Sequence, residues 1–150
     1  MEVVTPTNLA TVDAAAEPVD IVSTDGSGTM TVSMAWVADE DLPSTYGGTV
    51  TPSDNGDEFL VVTARLIVED GTIDLNSYQF EVVTPYGGTL SPATSTYELE
   101  GSGLDYDAPS SFAAGDEYTI QILFDPSKAG GMVLEFDSYS DVYSWDIAAS

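Results

Sequence analysis

The sequence predicts an all-β domain, an antiparallel sandwich or barrel of short strands. Three observations predict it. Apolar residues recur at every second position in several runs, the period of a half-buried strand. Glycine-centred turn signals separate those runs. No segment carries a convincing 3.6-residue period, and Pro126-Ser127-Lys128-Ala129 makes one helical turn at most.

The elements follow in chain order. Residues 1–18 are rich in Thr, Ala, Pro and Val without a period. They read as an extended N-terminal arm, wrapped on the domain or docked on a neighbour, with residues 19–150 forming the folded unit. Met30, Val32, Met34 and Trp36 alternate with Thr31, Ser33 and Ala35, which places Trp36 on the inward face. From Glu58 to Val68 both faces are largely apolar, so this longest strand is expected at the centre of its sheet. Tyr78, Phe80 and Val82 alternate with Gln79 and Glu81, and Tyr118, Ile120, Ile122 and Phe124 with Thr119 and Gln121. Met132, Leu134 and Phe136 form the next run, and Val142 to Ile147 a last strand carrying Trp145. Turns are expected at Asp25-Gly26, Tyr46-Gly47-Gly48, Asn55-Gly56, Asp70-Gly71, Tyr86-Gly87-Gly88, Ala114-Gly115-Asp116 and Gly130-Gly131. Tyr46-Gly47-Gly48-Thr49-Val50-Thr51-Pro52 echoes Tyr86-Gly87-Gly88-Thr89-Leu90-Ser91-Pro92. Two copies are too few for a solenoid and read as one hairpin chemistry used twice, or as a pair of matched contact loops.

Charge sets the environment. Twenty-six acids stand against two cations, Arg65 and Lys128, a formal charge of −24 on 150 residues. Such a chain repels itself when folded. The screening length is about 10 Å at 0.1 M salt and about 3 Å at 1 M. The composition resembles that of haloarchaeal and haloarchaeal-virus proteins, which points to concentrated salt. The deficit of Lys and Arg disfavours nucleic acid and anionic membrane surfaces as partners. No run approaches the ~20 apolar residues of a membrane span. The 43% hydrophobic content supplies a core despite the acidity, and the length suits one domain. Cysteine and histidine are absent, which excludes disulfides, Cys/His zinc sites and Ser-His-Asp or Cys-His catalysis. The start, Met1-Glu2-Val3-Val4-Thr5-Pro6, has neither a basic n-region nor an apolar h-region, and reads either as a chain used without Sec export or as one in which Met1 replaces a leader.

Residues 56–147 resemble a telokin-like, immunoglobulin-fold domain of unknown function found in exported lipoproteins. The matching pieces run in order. Gly56-Asp57-Glu58-Phe59-Leu60-Val61-Val62 is similar to that family's opening strand. Ser77-Tyr78-Gln79-Phe80-Glu81-Val82-Val83 with Tyr86-Gly87-Gly88 is similar to its middle strand and glycine turn. Ala114-Gly115-Asp116-Glu117-Tyr118 through Phe124-Asp125-Pro126 is similar to its glycine, acid, strand and Phe-x-Pro signature. The resemblance implies an immunoglobulin-like antiparallel β-sandwich that binds rather than catalyses, with no catalytic residue to carry over. The chain departs from the family in lacking a lipobox cysteine and in its additional N-terminal third.

The candidate sites are surfaces. Twenty-six acids create close carboxylate pairs by chance, so such pairs do not indicate a hydrolase. Asp54, Asp57 and Glu58 offer oxygen ligands for calcium, or for loosely condensed monovalent cations, without the EF-hand spacing. Asp137, Asp141 and Asp146, Asp39-Glu40-Asp41 and Asp105-Tyr106-Asp107 are further acidic clusters. Tyr46, Tyr86, Tyr139 and Tyr143 are candidate interface anchors, because tyrosine combines apolar area with a polar tip. Arg65, mid-strand, is expected to pair with a carboxylate. The reading that follows is a non-enzymatic structural or interaction subunit working in high salt. Its most concrete form is a virion component of a halophilic archaeal virus: a capsid decoration, turret or tail protein in contact with other subunits. The alternative is an exported, cell-surface immunoglobulin-like binding module of a halophile.

Overall fold

The computed structural model describes residues 17–38, 42, 44, 47–49, 58–93, 111–126 and 130–147. Among the described residues nine strands form two antiparallel sheets. The first sheet holds β1 (Pro18–Ser23), β2 (Gly26–Ala38), β3 (Glu58–Asp74), β6 (Ser111–Ala113) and β7 (Glu117–Phe124). The second runs β5 (Thr89–Leu90), β4 (Phe80–Val83), β8 (Val133–Asp137), β9 (Val142–Asp146). Their inner faces meet in one core. Met30, Val32, Leu60, Val62, Ala64 and Leu66 of the first sheet pack with Phe80, Val82, Leu134 and Phe136 of the second. The chain is therefore an all-β antiparallel sandwich.

β3 is central, as its two apolar faces require. It pairs with β2 through thirteen residues, Met30 opposite Leu66 and Trp36 opposite Leu60. On its other side Leu60 faces Phe124 and Ile67 faces Glu117. Its outer face adds a second, smaller cluster in which Phe59 and Val61 pack with Leu42 and Leu123. Trp36 lies on the predicted face and packs against the main core, but it is only partly buried there. Arg65 meets its carboxylate across the β3–β7 pair, Nη2 lying 2.7 Å from Glu117 Oε1. Both side chains are partly exposed, so the pair contributes at most about 1 kcal/mol.

One expected turn is a strand kink instead. β3 does not stop at Asp70-Gly71; it continues to Asp74 and pairs there with β6, Thr72 opposite Ala113. β6 and β7 together line one flank of β3, interrupted at residues 114–116 beside Glu69–Gly71. There the Ala114 N–H donates to Gly71 O and the Gly115 N–H to Val68 O. Gly71 has φ +64, and a Cβ on it would lie 2.1 Å from Asp25 O. The same glycine chemistry that makes a turn thus makes a bend in an unbroken strand.

The second difference is at residues 77–79. Tyr78 and Gln79 are not in a strand. Asn76 caps a 3-10 turn over Ser77–Gln79, its side chain accepting from the Tyr78 N–H at 2.8 Å. The turn reverses the expected faces: Tyr78 is 72% exposed, whereas Gln79 is 4% exposed. Strand alternation resumes at Phe80, and Phe80 and Val82 are buried as expected.

Candidate binding cleft

Asn76 starts the turn because its short side chain competes well for a free backbone N–H. The turn carries Gln79 inward to the rim where the sheets meet. Its Nε2 donates to the carbonyls of Asp74, ending β3, and Asp137, ending β8, both at 3.1 Å. One amide therefore clamps the two sheets together. The other end of that amide is unmatched: Gln79 Oε1 is buried and accepts no hydrogen bond. A buried acceptor left in this state costs about 1–3 kcal/mol.

The loop after β8 supplies the opposite wall. Ser138 is buried, donates through Oγ to Val22 O at 2.6 Å and accepts the Asp141 N–H at 3.1 Å. Ser23 Oγ donates to Ser138 O at 2.9 Å, and the Tyr139 N–H donates to Asp137 Oδ1 at 2.7 Å. These bonds hold Tyr139 in the left-handed region, φ +71, with its side chain 63% exposed. A non-glycine residue in that region is uncommon and strained, and persists where its surroundings fix it. Ser138→Ala is expected to lower stability by about 1–3 kcal/mol, read from denaturant midpoints, by removing the acceptor of the Asp141 N–H and leaving Val22 O with only the long, 3.5 Å bond from the Tyr143 hydroxyl.

Tyr78 and Gln79 line two adjoining clefts. One, about 350 Å³, is completed by Asp74, Asn76 and Tyr139. The other, about 150 Å³, is completed by Glu81, Glu135, Asp137 and Val142. The β4–β8 register sets Glu81 directly opposite Glu135. Two carboxylates in such a pair repel. Among the described residues neither makes an ion pair. The surface is thus rich in acceptors and bounded by two exposed tyrosine rings.

The candidate residues named from sequence are scattered. Tyr46, Asp54 and Asp57 lie outside the described residues, as do Asp39-Glu40-Asp41, Asp105-Tyr106-Asp107 and Lys128. Glu58 opens β3 opposite Ala38. Asp137 and Asp141 flank the β8–β9 loop, but Asp146 pairs with Val133 at the far end of β9. Among the described residues no group of three acids is placed to hold a metal ion. Tyr86 is 95% exposed at the β4–β5 hairpin tip. Val83 opposite Val133 and Phe80 opposite Phe136 put that tip and Tyr139 at opposite ends of the second sheet. Tyr143 is partly buried, and its hydroxyl accepts the Val22 N–H at 2.8 Å, so it latches β9 to β1. Sequence reasoning missed Gln79, Tyr78 and the Glu81–Glu135 pair. The Asn76-Ser77 dipeptide, a capping signal, was the available clue to the first two.

The two copies of the Tyr-Gly-Gly repeat share one pattern of turn hydrogen bonds among the described residues. The Thr84 N–H donates to Gly88 O and the Gly87 N–H to Thr84 O. Forty residues earlier, Ser44 N–H donates to Gly48 O and Gly47 N–H to Ser44 O. Gly47 and Gly87 both have positive φ, which the turn requires.

No protein-family model matches the chain, and no curated protein matches it by sequence. The expected resemblance to telokin-like lipoprotein domains therefore draws no support beyond the β-sandwich itself. Among solved structures the chain is similar to MPT63, a secreted protein from Mycobacterium tuberculosis. The likeness covers 87% of this chain and 92% of that one, at a TM-score of 0.50 and 14% identity. At that identity the likeness establishes a shared immunoglobulin-like β-sandwich.

Proposed function

We propose that the chain is a non-enzymatic binding module that works outside the cell. The observation that carries the binding role is the cleft around Gln79, walled by exposed Tyr78 and Tyr139. Fixed aromatic side chains give contact area at low entropic cost. The absence of histidine and cysteine from the sequence removes the common nucleophile–base pairs. The extracellular setting is supported by the sandwich likeness to a protein described as secreted. The expected virion subunit draws no such support and stands behind this reading. Among the described residues no helix is long and apolar enough to cross a membrane.

The test is localisation of the product of the intact gene in its source cells. Immunodetection is expected to find the chain in the envelope surface or medium, accessible to added protease. Recovery solely from the cytoplasm contradicts the extracellular reading. Recovery solely with purified virus particles reinstates the virion reading.

A further inference from the structure

We propose that the paired clefts receive a guanidinium group, an inference that rests on the binding-module reading and names its ligand chemistry. Three features share the lining of the smaller cleft. Glu81 and Glu135 stand directly opposite each other on adjacent strands and line the same cleft. Gln79, in the wall of both clefts, has a buried carbonyl oxygen with no donor. Tyr78, 72% exposed and shared by both clefts, presents a ring to the same space.

Each feature asks for the same partner. Opposed carboxylates ask for positive charge between them. The orphaned amide oxygen asks for an N–H or O–H donor. The tyrosine ring face favours a cation, and best a planar one that can stack. Asp137, the third carboxylate of the smaller cleft, adds acceptors and no donors, and its backbone oxygen is already occupied by Gln79 Nε2. A metal ion fits less well, because no three described acids, these included, are placed to hold one. Guanidinium carries five donors in a flat fork that bridges two carboxylates. A point-charge ammonium satisfies fewer of these groups at once. A sugar supplies donors but leaves the Glu81–Glu135 repulsion in place.

The test uses the full chain, isotope-labelled, in the lowest salt at which it stays folded. Butylguanidinium and blocked arginine (N-acetyl-arginine methylamide) are titrated, with the matching lysine and citrulline compounds as controls. Saturable amide shifts are expected at Tyr78, Gln79, Glu81, Glu135 and Tyr139. Blocked arginine is expected to bind at least threefold more tightly than lysine and about tenfold more tightly than citrulline. Glu81→Gln with Glu135→Gln keeps the shape and removes the charge, so it is expected to fold normally and weaken binding about tenfold or more. Tyr78→Leu is expected to weaken it about threefold. Blocked arginine binding as well as butylguanidinium assigns the group to a polypeptide partner; markedly tighter butylguanidinium assigns it to a free small molecule. Equal binding of citrulline, unsaturable shifts spread over all acidic residues, or an unchanged double variant overturns the proposal. The first of these leaves the binding-module reading intact, since that reading fails on localisation instead.

Discussion

Dialysis from molar NaCl or KCl to about 0.1 M is expected to unfold the chain cooperatively, as followed by circular dichroism. Two like charges about 7 Å apart in water repel by roughly 0.6 kcal/mol without salt. Screening leaves about half of that at 0.1 M and about a tenth at 1 M. The net charge is −24, none of the described carboxylates is buried, and Arg65–Glu117 is the ion pair between described residues. Glu81 opposite Glu135 is one like-charge pair set by the register of the sheet. On the order of twenty close pairs, each changing by a few tenths of a kcal/mol, amounts to several kcal/mol. That is comparable to the whole ~5–15 kcal/mol stability of a domain. Acidifying toward pH ~4 at low salt is expected to restore compaction in part, by protonating surplus carboxylates. A melting temperature that stays constant between 0.1 and 1 M salt contradicts the argument.

Phe136→Ala is expected to cost about 3–5 kcal/mol, enough to unfold a marginal domain at moderate salt. Phe136 is fully buried and stacks against Phe80 at a centroid distance of 4.7 Å with planes tilted 39°. The two are also directly paired across β4 and β8. Truncation therefore removes both transfer energy and an aromatic contact worth about 0.5–1.5 kcal/mol. The space left lies in the core that joins the sheets, where neighbours already packed on several sides collapse only partially. Tyr86→Ala serves as the control, since a side chain 95% exposed at a hairpin tip is expected to change stability by less than about 0.5 kcal/mol. Denaturant midpoints in molar salt compare the two. Equal stability of Phe136→Ala and wild type contradicts the core described above.

The strands that bury one face were legible in the sequence because the side-chain period is two and only one register hides the apolar set. Met30 and Val32, Ile120 and Ile122, and Leu134 and Phe136 all lie inward where alternation put them. The central position of β3 was legible from its two apolar faces. Gln79 was not, because a single 3-10 turn before β4 breaks the alternation that otherwise predicts outward glutamine. Asp70-Gly71 was ambiguous in principle. Positive φ at glycine serves a hairpin and a strand kink equally, and only the distant β6 segment decides between them. The binding cleft was the least legible feature. Its carboxylate pair depends on the register of β4 against β8, strands far apart in the chain, and its orphaned acceptor depends on two backbone carbonyls that end different strands.

We propose that recognition occurs at the Tyr78–Tyr139 end of the second sheet. The most direct measurement is site-specific photo-crosslinking, with a benzophenone side chain replacing Tyr78, Tyr139 or Tyr86 in turn. The three positions are all exposed, and the register sets Tyr86 at the opposite end of the same sheet. Incubated with envelope-surface and extracellular material of the source cells, the Tyr78 and Tyr139 positions are predicted to give one shared adduct, lost on addition of excess blocked arginine, while the Tyr86 position gives none. Adducts confined to the Tyr86 position, or equal labelling from all three, would contradict the account.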